Sequence, residues 1–568
     1  MSSVAPGSGS SLSCTWPSAY RANRSIRTAS AMPVSSSRST TTPRRRSSDA
    51  PATASSPTFT MSFPPCNQRS VKKHHPTLRR ETIMPNNYDV EYDIVVVGAG
   101  ASGLSAAAQA ALNGNTVAVL EKLDAVGGHG QFVEGSAAFE SAEQEKRGIE
   151  VPCSVGFKRF IGLSSFRADA DVVSMFVKNS ATTIEKLRDM GAVWEDVTIY
   201  AYEQENELKT MHWAEGEGAR IIQLMEAQAR ENGADIFLST SAVNLMVEDG
   251  AVVGVEAKDS DDNDLRIGAK AVILAGGGYS SDPDMIARHS RFGENGRMLV
   301  ELGTPGNTGD GYRMAMAAGA KEGMTGAMAL MPVAKGKTIT SHVSGAGSQP
   351  YLWVNKLGKR FTDESVAMNF ADAANVIAQA PGAVVYTIFD EATKRYMETS
   401  GSDISLGTFI PYHAPLAMLD EELAQDLKTD TAFKADSLAE LAAQIGVDAD
   451  ELAATVARYN AHCAAGVDDD YYKTPKYLRA VTEGPFYAVT MIAGTLISLG
   501  GIVVDGNLQV ISGDTERPIP GLFAVGAEAS GLWGDSYPLD IPGTISGFAY
   551  TSGWVAANRA TELIKASI

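Results

Sequence analysis

The stretch "EYDIVVVGAGASGLSAAAQAALNGNTVAVLEK", residues 91–122, constrains this chain more than any other. Ile94–Val97 is an apolar run of the kind that fills a buried parallel strand. It leads through Gly98, Gly100 and Gly103 into an alanine-rich helix. Gly98 permits the tight turn, Gly100 lets backbone approach a pyrophosphate, and Gly103 allows close packing of helix on strand. Ala101 and Ser102 open that helix, whose N-terminus offers unpaired N–H groups and a positive dipole end to phosphates. A second strand, Val117–Leu120, ends at Glu121 and Lys122, with Glu121 placed to bind a ribose hydroxyl. Strand, glycine turn, helix, strand and acidic residue in that order specify a dinucleotide-binding α/β unit.

The chain has 568 residues, too many for one core, so two or three domains are expected. Its net charge of −19 is unevenly spread: residues 1–83 carry 12 Lys and Arg against Asp49 and Glu81. The acidic remainder is poorly suited to nucleic acid or an anionic membrane surface, and no apolar run is long enough to span a bilayer. Residues 1–83 are rich in Ser, Thr, Arg and Pro without hydrophobic periodicity. They are expected to be disordered, as a transit-like leader or an extension upstream of a start at Met84. The cysteines, Cys14, Cys66, Cys153 and Cys463, form no CxxC or CxxCH pattern, which fits a reducing cytoplasm and argues against clusters and c-type haem. The histidines have no metal-ligand spacing, so no metal site is expected.

Three further stretches decide between dinucleotides. "AKAVILAGGGYSSD" is a strand running into Ala275, Gly276 and Gly277. "NTGDGYRMAMAAGA" is a glycine turn opening a helix at Asp310. "RPIPGLFAVGAEASG" is a strand ending at Gly526, with Glu528 beyond. Together with the opening fingerprint, this set resembles the fumarate reductase/succinate dehydrogenase flavoprotein family. The resemblance implies FAD, bound by a Rossmann-like α/β domain with an inserted α+β capping domain. The expected division is 84–330 for the first part of the FAD domain, 331–497 for the cap and 498–568 for the C-terminal part. It also implies that a last helix, starting near Thr544, Ile545 and Ser546, points its N-terminus at the flavin. His129, between Gly128 and Gly130, falls where some members attach FAD covalently; its neighbours match poorly, so non-covalent FAD is expected.

The chain departs from the family where substrate is held. Met331 in "ALMPVAKG" and Ile497 (or Leu496) in "LISLGG" stand in place of family histidines. Met368 or a neighbour stands in place of the proton-donating arginine, and "SYPLDIPG" carries no arginine before the flavin helix. A dicarboxylate brought there would be desolvated without counter-charges, at a cost of several kcal/mol each. The expected substrate is therefore neutral and largely apolar. Proton transfer then falls to Tyr537, with Asp535 and Asp540 in the same loop as relays, or to His342 and Tyr351 in the cap. The aromatic stretch with Tyr200, Tyr202, His212 and Trp213 reads equally as site material or as a surface hairpin.

The loops "FVEGSAAFESAEQEKRG", "VTIYAYEQENELKTMHWAEGEGA" and "GLWGDSYPLDIPGTISGFAYTSGWVAA" narrow the resemblance to family members that act on tetrahydrodaidzein in equol formation. They imply reductive removal of a hydroxyl from a neutral isoflavonoid. The alternatives are a 3-ketosteroid Δ1-dehydrogenase-like oxidation of a polycyclic substrate and a flavin electron-transfer subunit. No second strand–GxGxxG–helix unit is present for a nicotinamide cofactor, so an external electron donor is expected.

Overall fold

A computed structural model of the chain describes residues 88–200, 207–405 and 410–567, all within the unit His75–Ile568. The expected N-terminal extension, 1–83, and Tyr202 lie outside the described residues.

The strand Val90–Val97 sits at the centre of an eight-stranded sheet. It pairs in parallel with Val117–Leu120 on one side and with Asp264–Leu274 on the other. Pro518–Ala524 and Asp235–Phe237 extend the parallel set outward, and a hairpin of Ser241–Glu248 and Ala251–Lys258 joins beside Asp264–Leu274. Ile94, Val95 and Val96 are fully buried, as continuous apolar runs in a doubly covered parallel strand must be. The fingerprint helix Ala101–Leu112 is buried from Ser102 to Ala111. It is enclosed because it lies against both the sheet and the C-terminal helix Thr544–Ala566. Small residues permit this: a Cβ on Gly553 would come within 2.3 Å of the Ser102 carbonyl oxygen.

A second sheet has six strands arranged around the long strand Phe486–Leu499. Its partner Ala327–Ala334 runs antiparallel to it, with Ala329 opposite Ile497 and Met331 opposite Gly494. The expected boundaries at 330/331 and 497/498 thus both fall inside this one ladder. A chain segment that leaves and returns on paired strands starts and ends at the same place in space. The helix Phe370–Gln379 packs across both strands. Below it, Arg360 bridges Glu364 at 2.7 Å and Asp468 at 2.8 Å, and Lys473 donates to the Tyr351 carbonyl at 2.8 Å.

The described flanks of the aromatic stretch are paired strands, and Tyr200, His212 and Trp213 are buried. Trp194–Thr198 and Met211–Ala214 form a three-stranded sheet with Gly135–Ala137. His212 is fully buried there, 2.6 Å from the Ser141 hydroxyl and 2.7 Å from the Thr210 carbonyl. Burial holds its imidazole down to about 4, so it is a neutral core group. Trp213 donates to Thr198 Oγ1 at 2.7 Å.

Candidate active site

The glycine turn has the geometry its spacing demands. Gly98 has φ +103°, and a Cβ on it would approach the Ala275 carbonyl oxygen to 2.5 Å. A Cβ on Gly103 would come within 1.9 Å of the Gly98 carbonyl oxygen. Gly100 is the extended N-cap, without a capping side chain. The first intrahelical bond runs from Leu104 N–H to Gly100, so Ala101, Ser102 and Gly103 stand in the turn whose N–H groups lack helical partners.

The other cofactor residues gather around this turn. Glu121 accepts from Ala99 N–H at 2.8 Å and Leu123 N–H at 2.9 Å, which fixes its carboxylate beside the turn. Lys122 meets Asp310 and Thr308 at 2.6 Å each. Burial pushes the Asp310 carboxyl up, but its bond to Lys122 leads the opposing contacts and leaves it below the ordinary range. Gly128 and Gly130 flank His129 in the short turn Gly128–Phe132. His129 Nε2 lies 3.1 Å from Glu301 and Nδ1 lies 2.9 Å from Asn307. Asn307 in turn stands where a Cβ on Gly277 would come within 2.8 Å. Gly526 donates its N–H to Ser552 and packs on Ser102.

Glu528 supplies the test of fit. Its carboxyl is buried and accepts from Gly276 N–H at 2.7 Å through Oε2. Its Oε1 is buried without a protein partner. Burial drives this carboxyl up to about 7. A bound hydroxyl donor, such as the sugar or ribityl chain of a flavin dinucleotide, satisfies the orphaned oxygen; an empty cradle leaves it costly.

The loop before the C-terminal helix corrects the sequence reading. Residues 535–547 carry no cation, yet three arginines reach the loop from elsewhere. Arg159 donates to Asp540 at 2.9 Å, Arg167 to Asp535 at 2.7 Å, and Arg291 to the Asp535 carbonyl at 3.0 Å. Asp540 and Asp535 are therefore held as ion-pair partners of Arg159 and Arg167. Isolated arginines in helices and turns give no sequence signal of this pairing. His342 begins the short helix His342–Gly347, and its Nδ1 accepts from Met418 N–H at 3.2 Å. Tyr351 is buried and donates to Asp403 at 3.0 Å, beside Arg479. Both belong to the packing of the second sheet and its helices.

Tyr537 is different. Its ring stacks on Phe370 with centroids 6.5 Å apart, and Phe370 meets Tyr200 edge-on at 5.4 Å. Burial raises the Tyr537 phenol strongly; backbone N–H groups of Thr544 and Gly543 oppose this, and Glu207 and Glu134 add to it. Tyr537 therefore stands at the first turn of the helix Thr544–Ala566. Thr544 Oγ1 donates to the Ile541 carbonyl and Ser546 Oγ to Gly135, while Ile545 is half-buried. The Met331 and Ile497 positions, far apart in sequence, lie on paired strands and are buried. Met368 Sδ accepts from the Tyr477 hydroxyl at 3.1 Å. Phe370, Glu134 and Glu207 escaped the sequence reading; only the quoted "FVEGSAAFE" and aromatic loops held a signal. A grouping of His462, Asp468 and Asp470 also escaped it, but Asp468 is occupied by Arg360 and Asp470 by His462 at 2.9 Å.

A dinucleotide cradle, a hydroxyl-seeking buried carboxyl and a phenol at the start of the terminal helix define an FAD-dependent oxidoreductase. The chain belongs to the FAD binding domain family, whose pattern matches residues 93–539. It is 34% identical over 484 residues to the vinyl phenol reductase of Lactiplantibacillus plantarum, covering 83% of this chain and 96% of that one. It is 29% identical to a fumarate reductase (cytochrome) of Shewanella frigidimarina, covering 78% of this chain and 72% of that one. The fold matches 3-ketosteroid delta1-dehydrogenase from Sterolibacterium denitrificans with a TM-score of 0.68 at 19% identity, over 83% of this chain and all of that one. Among the described residues, no helix is long and apolar enough to cross a membrane.

Proposed function

We propose that this enzyme is an FAD-dependent reductase of a neutral, largely apolar phenolic substrate and not a fumarate reductase. The observation that carries the reading is the Tyr200–Phe370–Tyr537 stack at the start of the terminal helix. Flat aromatic side chains favour a flat aromatic partner through offset or edge contacts. Two of the three arginines at the loop agree with this reading: Arg159 and Arg167 are paired with Asp540 and Asp535, while Arg291 donates to the Asp535 carbonyl. A dicarboxylate held by Arg159 or Arg167 would have to break those pairs.

In this reading residues 331–497 cap the substrate and Tyr537 donates a proton to it, in a reducing cytoplasm and with electrons from an external donor. Bound FAD supplies the electron pair. For an isoflavonoid of the tetrahydrodaidzein type, two electrons and two protons replace a C–O bond by C–H and release water. A second reading, reduction of an alkene side chain conjugated to the phenol, is favoured by the 34% identity to vinyl phenol reductase; it takes the same two electrons and two protons. The Tyr537 hydroxyl serves either reaction. Burial raises this phenol and keeps it protonated, while the Gly543 and Thr544 N–H groups at the helix start oppose the rise.

The test uses the full FAD-loaded chain, reduced without oxygen, with the visible flavin band followed after mixing. Tetrahydrodaidzein, para-vinylphenol and fumarate are compared in parallel. Reoxidation by either phenol, but not by fumarate, is the expected result, and the product identifies the bond reduced. Reoxidation by fumarate alone overturns the reading. In Tyr537→Phe, the phenol reaction should slow by about a hundredfold or more.

A further inference from the structure

Two groups of aromatic rings reach the terminal helix or the loop before it, and they differ in how completely they are closed. Phe139, Phe160, Phe176 and Phe548 meet edge-on, with centroids 5.7 to 6.3 Å apart, and each is 1% exposed or less. That group is core packing. Tyr200, Phe370 and Tyr537 instead keep 8%, 7% and 9% of their surface accessible, so these three rings border an opening that the first group does not. Phe370 and Tyr537 are tilted by 28° and run nearly parallel, whereas Tyr200 meets Phe370 at 67°.

The backbone that carries Phe370 is fixed at both ends of its helix. Asn369 caps Phe370–Gln379, accepting from Ala371 N–H at 3.1 Å and Asp372 N–H at 3.2 Å. At the far end Asn295 donates to the Ala378 carbonyl at 3.0 Å and the Ala380 carbonyl at 3.2 Å. Between them Asn375 donates to the Ser536 hydroxyl at 2.9 Å, and Ser536 is the residue before Tyr537. One helix thus carries both the ring beside Tyr537 and a hydrogen bond to the residue next to it. A flat ring held in place favours a flat partner through offset or edge contacts. A puckered, saturated ring touches the same face with fewer atoms and gains less dispersion. We infer that Phe370 is the specificity-determining residue of this site, its accessible face receiving the aromatic ring of the substrate beside Tyr537.

This role rests on the reading above that the substrate is phenolic and takes a proton from Tyr537, and it separates the tasks of the two rings. Tyr537 acts in the proton transfer, so its loss lowers kcat. Phe370 touches the substrate ring equally before and during the reaction, so its loss raises KM and leaves kcat nearly unchanged. An aromatic contact of this kind changes affinity by up to about tenfold.

Two measurements on the FAD-loaded full chain test it. The first needs no turnover: equilibrium dialysis of 4-ethylphenol and 4-ethylcyclohexanol, which share a carbon skeleton and a hydroxyl and differ in flatness. Wild type should prefer the phenol by about tenfold. Phe370→Leu should bring the two affinities within about twofold of each other, and Phe370→Tyr, which keeps the ring, should retain the preference. Where the leucine variant fails to load flavin, Phe370→Met, close to it in volume, takes its place. The second measurement is steady-state turnover of para-vinylphenol with a reduced dye as donor. Phe370→Leu should raise KM about tenfold with kcat within about threefold, whereas Tyr537→Phe should lower kcat with KM little changed. A wild-type protein without preference for the phenol overturns the role of Phe370. So does a preference that survives in Phe370→Leu, or a loss confined to kcat. A wild-type flavin that no phenol reoxidises overturns the reading of the function instead, while a phenol preference abolished by Phe370→Leu then still supports the ring contact.

Discussion

Arg159 donates from Nη1 to the Asp540 carboxylate at 2.9 Å, joining positions 381 apart in the chain. That single contact changes the meaning of the "DSYPLDIPG" loop. Its aspartates look free in sequence, and in the fold each is matched by a guanidinium. Asp540→Asn should therefore lower stability by about 1 kcal/mol or less, the scale of a partly exposed ion pair, with phenol turnover close to wild type. Chemical denaturation and steady-state assay check the two parts. A collapse of turnover with unchanged stability would restore Asp540 as a relay.

Gly103 cannot carry a side chain. A Cβ there would overlap the Gly98 carbonyl oxygen, at 1.9 Å, and the backbone of a glycine turn has no flexible end to move aside. Gly103→Ala should open the turn that receives the pyrophosphate and yield protein with little bound flavin. The ratio of visible flavin absorbance to protein absorbance measures this directly. Full flavin occupancy in the variant would contradict the cradle.

Glu528 links cofactor and pH. Its folded carboxyl is raised to about 7 by burial, above its unfolded value of about 4.3. Folding thus favours the protonated form. The contribution is complete below the unfolded value and is lost as pH rises through about 7, amounting to about 4 kcal/mol. Apoprotein stability should fall across that window, and Glu528→Gln should remove the fall. FAD-loaded protein should lose less, since a flavin hydroxyl donating to Oε1 favours the carboxylate. Denaturation curves at a series of pH values decide it; identical pH profiles for variant and wild type would count against it.

His129 has both ring nitrogens engaged, by Glu301 at 3.1 Å and Asn307 at 2.9 Å. Acid precipitation should therefore release the flavin into the supernatant. His129→Ala should weaken flavin retention through the loss of these contacts, because the imidazole fills the space where a Cβ on Gly303 would stand, 1.7 Å from Nε2. Flavin left on the precipitated wild-type chain would establish a covalent bond and refute this prediction.

The cradle was legible because its requirements are local. Gly98, Gly100, Gly103 and Glu121 lie within one strand–turn–helix–strand unit, and each residue type is demanded by backbone geometry over a few positions. The same holds for Gly276 and for Gly526 with Glu528, which follow strands and so sit at the ends where a parallel sheet opens to a ligand. Met331 and Ile497 were also legible as departures, although only the ladder between Ala327–Ala334 and Phe486–Leu499 puts them on paired strands, opposite Gly494 and Ala329.

Sequence by itself determined the dinucleotide unit and the placement of Tyr537 just before the terminal helix Thr544–Ala566. Tertiary structure alone decided which charges meet. Arg159 and Arg167 come to Asp540 and Asp535 across more than half the chain, and Phe370 comes between Tyr200 and Tyr537. His342 and Tyr351, plausible by composition, are drawn into the packing around the second sheet. The reason is physical: backbone conformation is set by near neighbours, whereas the charge state and direction of a side chain depend on partners that folding brings from distant segments.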